Sequence, residues 1–252
     1  MIKLKNPDQI AKMRAAGFLL EGVLAEVMGA VAPGATTRQL DRLADKLIRK
    51  AGAVPSFYGY QGFPASLCTS VNDAVVHGIP DDRPLEAGSI LGLDIGLVLD
   101  GWQADMARTA RVGEISSEAE RLVRVTEECF WKALPMCREG MRIGDISHAV
   151  QSHAEANGFS VVRALCGHGI GQAMHEDPEV PNYGLPGRGL RLHRGMVLAI
   201  EPMINAGGFD VQMNGWDIRT RDGSLSAHYE NTVLITGGEP EILTMKAVGS
   251  PE

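Results

Sequence analysis

Five acidic or imidazole side chains of this sequence stand where such groups are costly. Asp94 lies between Leu93 and Ile95 in the apolar run SILGLDIGLVLDG, and Asp105 follows just after that stretch. Glu201 interrupts MVLAIEPM, Glu230 interrupts AHYENTVLI, and His168 sits among the glycines of CGHGIG, which allow close backbone approach. An ionised carboxylate removed from water needs a partner charge, hydrogen bonds or a metal ion. One such group in a chain is commonly a satisfied structural residue. Two aspartates, two glutamates and one histidine make an oxygen-rich ligand set with a single nitrogen. That set suits a hydrated pair of manganese, iron, cobalt or zinc ions better than a structural zinc. Two such ions, about 3.5–4 Å apart, can share a water molecule and activate it near neutral pH.

The two aspartates are brought together by a hairpin. Asp100-Gly101 is a strong two-residue turn signal, which predicts paired strands over Ile90 to Val112. Asp105 then falls opposite Gly96 and Asp94 opposite Ala107. Side chains two apart share a face, so the carboxylates become diagonal neighbours, roughly 7–8 Å apart at the backbone. Without a cation between them they would repel. A slip of one residue in the register would undo this placement.

The other histidines carry weaker signals. His77 in AVVHGIP and His175 in QAMHEDPEV lie in loops, where functional side chains concentrate. His148 and His153 fall on a predicted helix, and His193 follows a basic loop. His228 shares a face with Glu230 by strand alternation and reads as structural.

The elements that must hold these groups follow from caps and periodicity. Asn6-Pro7 opens a helix with apolar positions Ile10, Met13, Leu20, Leu24, Val27 and Val31, which Pro33-Gly34 ends. Thr36-x-x-Gln39 is a capping box for a second helix carrying Leu40, Leu43, Leu47 and Ile48, closed at Gly52. Val54 to Pro84 reads as loop-rich. Ser117-x-x-Glu120 opens a third helix that Pro135 stops, and a fourth runs from about Asp145 to Asn157 before Gly158. Short strands and glycine-rich loops make up the remainder.

Helix, helix, strands therefore occurs twice. Gly34 aligns with Gly140, Gly52 with Gly158, Gly88 with Gly195, and Asp94 with Glu201, all at nearly one offset. The expectation is one α+β domain over 1–252, with two similar halves (about 1–113 and 114–252) whose acids face each other across a central antiparallel sheet.

Composition sets the class. A chain of 252 residues with 44% apolar and 22% charged residues can bury a sizeable core as a soluble globular protein. A formal charge of −7 argues against nucleic acid as the main ligand. The N-terminus has no secretory pattern and no apolar run approaches the roughly 20 residues of a membrane span, so a cytoplasmic protein without membrane attachment is expected. Cys68, Cys129, Cys137 and Cys166 lack CxxC spacing, which favours reduced thiols over a zinc ribbon.

The segments YGYQGFPASLCTSVNDAVVHGIP, GLDIGLVLDGWQAD, GHGIGQAMHEDPEVPNYG, GMVLAIEPMINAG and WDIRTRDGSLSAHYENTVLIT resemble, in order and over nearly the whole chain, the signature blocks of type I methionine aminopeptidases. The resemblance implies the pita-bread fold, two pseudo-symmetric halves around a central antiparallel sheet. It implies two divalent ions (cobalt, manganese, iron or zinc) held by Asp94, Asp105, His168, Glu201 and Glu230, with Asp94 and Glu230 as bridges. Glu201 would also carry a proton from the attacking water to the leaving amine. His175 would stabilise the oxyanion, and His77 would contact the scissile nitrogen. Tyr60, Phe63, Cys68 and Trp216 would line the methionine pocket.

The implied reaction removes the N-terminal methionine of a peptide or nascent chain, transiently at the ribosome, by a monomeric enzyme that favours a small second residue. The short interval from His175 to Glu201 leaves no room for the type II insertion, and the start at MIKLKNP lacks the zinc-binding extension of eukaryotic cytosolic enzymes, so a bacterial-style member is expected. Gln103-Ala104, Met106-Ala107, Asn231 and Met174 depart from the family pattern, the first three around the ligands. An Xaa-Pro aminopeptidase or prolidase of the same fold, and a non-catalytic binding protein on it, are the alternatives. The first generally carries an additional N-terminal domain, and the second usually lacks several ligands.

Overall fold

Two reciprocal caps start the first pair of helices. Asn6 Oδ1 accepts the Gln9 N–H while Gln9 Oε1 accepts the Asn6 N–H, opening α1 (Pro7–Gly29). Thr36 and Gln39 do the same for α2 (Thr37–Lys50). α1 stops before Pro33-Gly34, because the Ala30 and Val31 amides already turn back tightly onto Val27 and Met28. The residue preceding a proline also avoids helical geometry. α3 (Ser117–Ala133) is capped by Ser116 rather than Ser117, its hydroxyl accepting the Ala119 N–H, and Pro135 lies in a short turn beyond it. α4 (Ile143–Ala156) begins earlier than Asp145, whose carboxylate accepts the Arg142 N–H from the helix's third position.

This is a computed structural model, and it describes residues 2–245. The helices pack on a nine-stranded sheet whose pairs are antiparallel. Its order runs Val54–Pro55, Ile90–Leu99, Trp102–Arg111, Glu230–Leu234, Val197–Ile200, Cys166–Gly169 and Glu176–Pro181, with Leu67–Val71 also on Ile90–Leu99 and Glu241–Ile242 on Glu230–Leu234. The expected α+β class and pita-bread architecture hold. The stretch 54–84 is less irregular than its composition suggested, since Leu67–Val71 and Ala74–Val76 are strands. Both are short and almost wholly buried, so no polar–apolar alternation marks them.

Two apolar cores lie side by side on one face of the sheet. One joins Leu20, Leu24 and Val27 of α1 and Leu40 and Ile48 of α2 to Leu91, Leu93 and Leu97. The other joins Leu122 and Phe130 of α3 and Ile146 and Val150 of α4 to Leu198, Ile200 and Val233. The aligned glycines have matching backbones, each with a positive φ that glycine alone adopts freely: 86° and 91° at Gly34 and Gly140, 79° and 76° at Gly52 and Gly158, 93° and 90° at Gly88 and Gly195. Their hydrogen bonds match as well. The Gly34 amide donates to Leu85 O and that of Gly140 to Leu192 O. The Gly88 amide donates to Val112 O and that of Gly195 to Ile235 O.

Candidate metal centre

The hairpin forms in the predicted register. Asp100 and Gly101 take left-handed backbones, and Gly96 pairs with Asp105 and Asp94 with Ala107. Ala107 pairs on its other side with Glu230, so Asp94, Asp105 and Glu230 share one face of three adjacent strands. Ile200 pairs with Asn231, which sets Glu201 beside Glu230 one residue further on. His168 pairs with Ala199 on the next strand. Five consecutive strands thus present the four acids and His168 toward one place.

The glycines around His168 make this approach possible. A Cβ on Gly167 would stand 2.4 Å from Ala199 O, and one on Gly169 only 2.2 Å from Asp177 O. Gly169→Ala is expected to force the strands apart at a cost of about 1–3 kcal/mol, read as a melting temperature several degrees below wild type. An unchanged melting curve would contradict this packing.

The acids are poorly satisfied as they stand. Asp94 Oδ1, Asp105 Oδ1 and Glu230 Oε1 are buried without a hydrogen-bond partner. Asp94 and Glu201 keep an edge open to the cavity. Burial pushes the Asp94 carboxyl up to about 7. Burial, reinforced by neighbouring carboxylates, raises Asp105, Glu201 and Glu230 well above the ordinary range. His168 Nδ1 lies 2.9 Å from Gly169 O, an acceptor only, so Nδ1 holds the proton. Its Nε2 lone pair then faces Asp105 at 3.8 Å and Glu201 at 3.7 Å. Burial lowers this imidazole to about 4. Orphaned carboxylate oxygens around an uncharged imidazole are a donor set that fits divalent cations.

Every candidate site residue lines one cavity of about 280 Å³: Asp94, Asp105, His168, Glu201, Glu230, His77, His175, Tyr60, Phe63, Cys68 and Trp216. Phe63 meets Trp216 edge-on at 5.2 Å, and His77 meets the same indole at 5.6 Å. Tyr60 Oη lies 2.7 Å from His175 Nδ1 at the cavity mouth. Sequence reasoning missed Phe57, Val76, Leu165, Cys166 and Met203 in this wall. They come from segments far apart in the chain, and their apolar runs are indistinguishable from core. A larger cavity of about 570 Å³, between Thr37, Asn72, Arg83 and Arg219, contains none of the five ligand candidates. Size does not locate the chemistry here.

One expectation needs correcting. Ala104 and Met106 belong to the core beneath α1, and Asn231, paired with Met106, holds the Arg108 guanidinium at 2.8 Å. Strand alternation turns these residues away from the carboxylates flanking them. Only Gln103, bonded to Ser56 Oγ at 2.6 Å, and Ala107 share the site face. Asp94 groups with His228 and Glu230, and Asp105 groups with His168 and Glu230. Glu230 alone is common to both groups. His193 is exposed, His148 is exposed on α4, and His153 bonds Glu128 at 2.8 Å. All four cysteines are free thiols.

Residues 11–237 match metallopeptidase family M24. The chain belongs to that family. M24 membership makes it a hydrolase of peptide bonds with divalent-metal chemistry, in agreement with the acids just described. It is 53% identical to a methionine aminopeptidase of Clostridium acetobutylicum over 97% of this chain and 99% of that one. It is 54% identical to one of Clostridium perfringens with the same coverage. The crystal structure of a methionine aminopeptidase from Thermotoga maritima superposes with a TM-score of 0.96 at 43% identity, covering 98% of this chain and all of that one. The resemblance read from the signature blocks is thereby borne out for an M24 enzyme. Among the described residues no helix is long and apolar enough to cross a membrane.

Proposed function

We propose that this M24 enzyme hydrolyses the first peptide bond of polypeptides that begin with methionine, releasing the free amino acid. The observation that carries the reading is one cavity in which ligand-type acids adjoin an aromatic, sulfur-lined pocket. Asp94, Asp105, His168, Glu201 and Glu230 would hold two divalent ions of the cobalt, manganese, iron or zinc type. When bound, such ions polarise the scissile carbonyl and make water a nucleophile near neutral pH.

The chain's own residues do the rest. Glu201, with an edge open to the cavity, takes a proton from the attacking water and delivers it to the leaving amine. Tyr60 Oη occupies His175 Nδ1 at 2.7 Å, so Nε2 is the ring atom left to face and stabilise the oxyanion. His77 is held at φ 60°, an uncommon backbone for a non-glycine residue, with its ring against Trp216. It contacts the nitrogen of the scissile bond. Tyr60, Phe63, Cys68 and Trp216 take the methionine side chain. Burial pushes the Cys68 thiol up, so it offers the thioether a neutral, polarisable surface. A small second residue is favoured.

The matching glycine pairs support a single catalytic domain over 1–252, built of halves at about 1–113 and 114–252. The substrates are N-termini of peptides and of nascent chains, met transiently at the ribosome by a cytoplasmic monomer, with neither nucleic acid nor membrane as the main ligand. Incubating the metal-loaded protein with Met-Gly-Met and with an Xaa-Pro peptide tests this. Free methionine is expected from the first, and cleavage confined to the second would contradict it.

A further inference from the structure

Among the described residues, two groups of side chains are placed to hold a metal ion, and they are built alike. Asp105, His168 and Glu230 form one, and Asp94, His228 and Glu230 form the other, each with its ligand atoms within 4.8 Å of one another. Each contains one aspartate, one histidine and the shared Glu230. His228 lies outside the five ligands proposed above, and although strand alternation put it on the face of Glu230, it read as structural.

The surroundings of His228 do not fit a structural histidine. The residue is 3% exposed, and its Nε2 has no hydrogen-bond partner. That atom stands 3.7 Å from Glu201 Oε2 and 3.8 Å from Glu230 Oε2. These separations exceed hydrogen bonds, which close at roughly 2.7–3.2 Å. Atoms turned toward each other without touching are instead spaced to flank a common ion. The backbone is fixed from both sides, since Thr109 Oγ1 accepts the His228 N–H at 3.0 Å and donates to His228 O at 2.9 Å. A buried imidazole nitrogen left without a partner is destabilising, a penalty that coordination removes.

We infer that His228 is a sixth ligand, giving the ion held by Asp94 and Glu230 a nitrogen donor of its own. The inference rests on the two-ion reading above. The pair of ions then sits in two near-equivalent niches, each with one imidazole. Imidazole suits zinc, iron and their neighbours, whereas carboxylate-only niches suit manganese and magnesium. The second niche is accordingly less tolerant of manganese than an all-carboxylate one.

Chelated full-length protein titrated with Co²⁺, followed by calorimetry and visible absorption, tests the assignment. Wild type is expected to take up two ions. His228→Gln and His228→Ala should keep the first and bind the second at least tenfold more weakly, with an altered cobalt spectrum in that step only. In the proton spectrum of the di-cobalt wild type, two exchangeable imidazole N–H resonances should be shifted by the ions, from His168 and His228. His228→Gln should lose one of them. A single shifted N–H in wild type overturns the assignment even if a variant fails to fold. So does a second ion bound as tightly by both variants as by wild type, with the same spectrum. Wild type that takes up fewer than two ions overturns the two-ion reading, and the sixth ligand with it.

Discussion

Glu201→Ala is expected to abolish measurable release of methionine from Met-Gly-Met, while His193→Ala leaves turnover close to wild type. Two losses combine at Glu201. The side chain lies beside Glu230 on the sheet, with its oxygens toward the His168 and His228 imidazoles, so removing it takes away a proposed ion ligand. It is also the proposed proton carrier, and a positioned acid–base group alone contributes about 10²–10⁴-fold. His193 is exposed and outside the cavity, so its removal disturbs nothing the reaction uses. The measurement is kcat at saturating substrate with bound metal determined for each variant. A thermal melt shows that both remain folded. Comparable losses from the two changes would place the site elsewhere.

Loading the metal-free protein with divalent ions is expected to release protons, and the affinity should fall as the pH is lowered. The sign follows from the acids. Asp94 is held up at about 7, mainly by burial, and Asp105, Glu201 and Glu230 stand well above the ordinary carboxylate range. Near neutrality these groups retain protons that the incoming ions displace. His168, lowered to about 4, is already neutral and releases none. Between pH 8 and 6 the affinity should drop by at least about tenfold, and calorimetry in buffers of different ionisation enthalpy counts the protons. The same shifts govern the metal-free fold. A raised acid contributes stability below its unfolded value near 4, and that contribution is lost as the pH rises through 7. Metal-free Asp94→Asn should therefore melt several degrees above wild type at pH 8, a gap of roughly 1–3 kcal/mol, and approach it near pH 4. A metal affinity independent of pH, or a gap that widens toward acid, would contradict the burial of these carboxylates.

Much of the site was legible because it is written in local rules. The Asp100-Gly101 turn sets the hairpin register, and with it the shared face of Asp94 and Asp105. The paired glycines carry a repeat that survives in their backbone angles. Caps at Asn6 and Thr36 are reciprocal side-chain bonds that three residues suffice to encode.

What escaped depends on partners distant in the chain. That Glu230 joins the hairpin aspartates on one face could not be read until Ala107 was seen to pair with Asp94 on one side and Glu230 on the other. Met106 and Asn231 looked like neighbours of the ligands because they adjoin them in sequence. A pleated strand sends adjacent side chains to opposite faces, and these point into the core beneath α1. His228 was undervalued for the converse reason. Alternation put it on the correct face, but only the fold sets its ring against Glu201 and Glu230 with an unpartnered nitrogen. The strand Leu67–Val71 was hidden because a strand buried on both faces carries no alternation.

The most direct measurement is a titration of chelated, full-length protein with Co²⁺ or Mn²⁺, in which bound metal and methionine release from Met-Gly-Met are followed together. Release should be absent without metal, rise with occupancy and saturate by the second ion per chain. Undiminished release from the metal-free protein, or a fully loaded chain that releases no methionine, would contradict a metal-dependent methionine-releasing site at these residues.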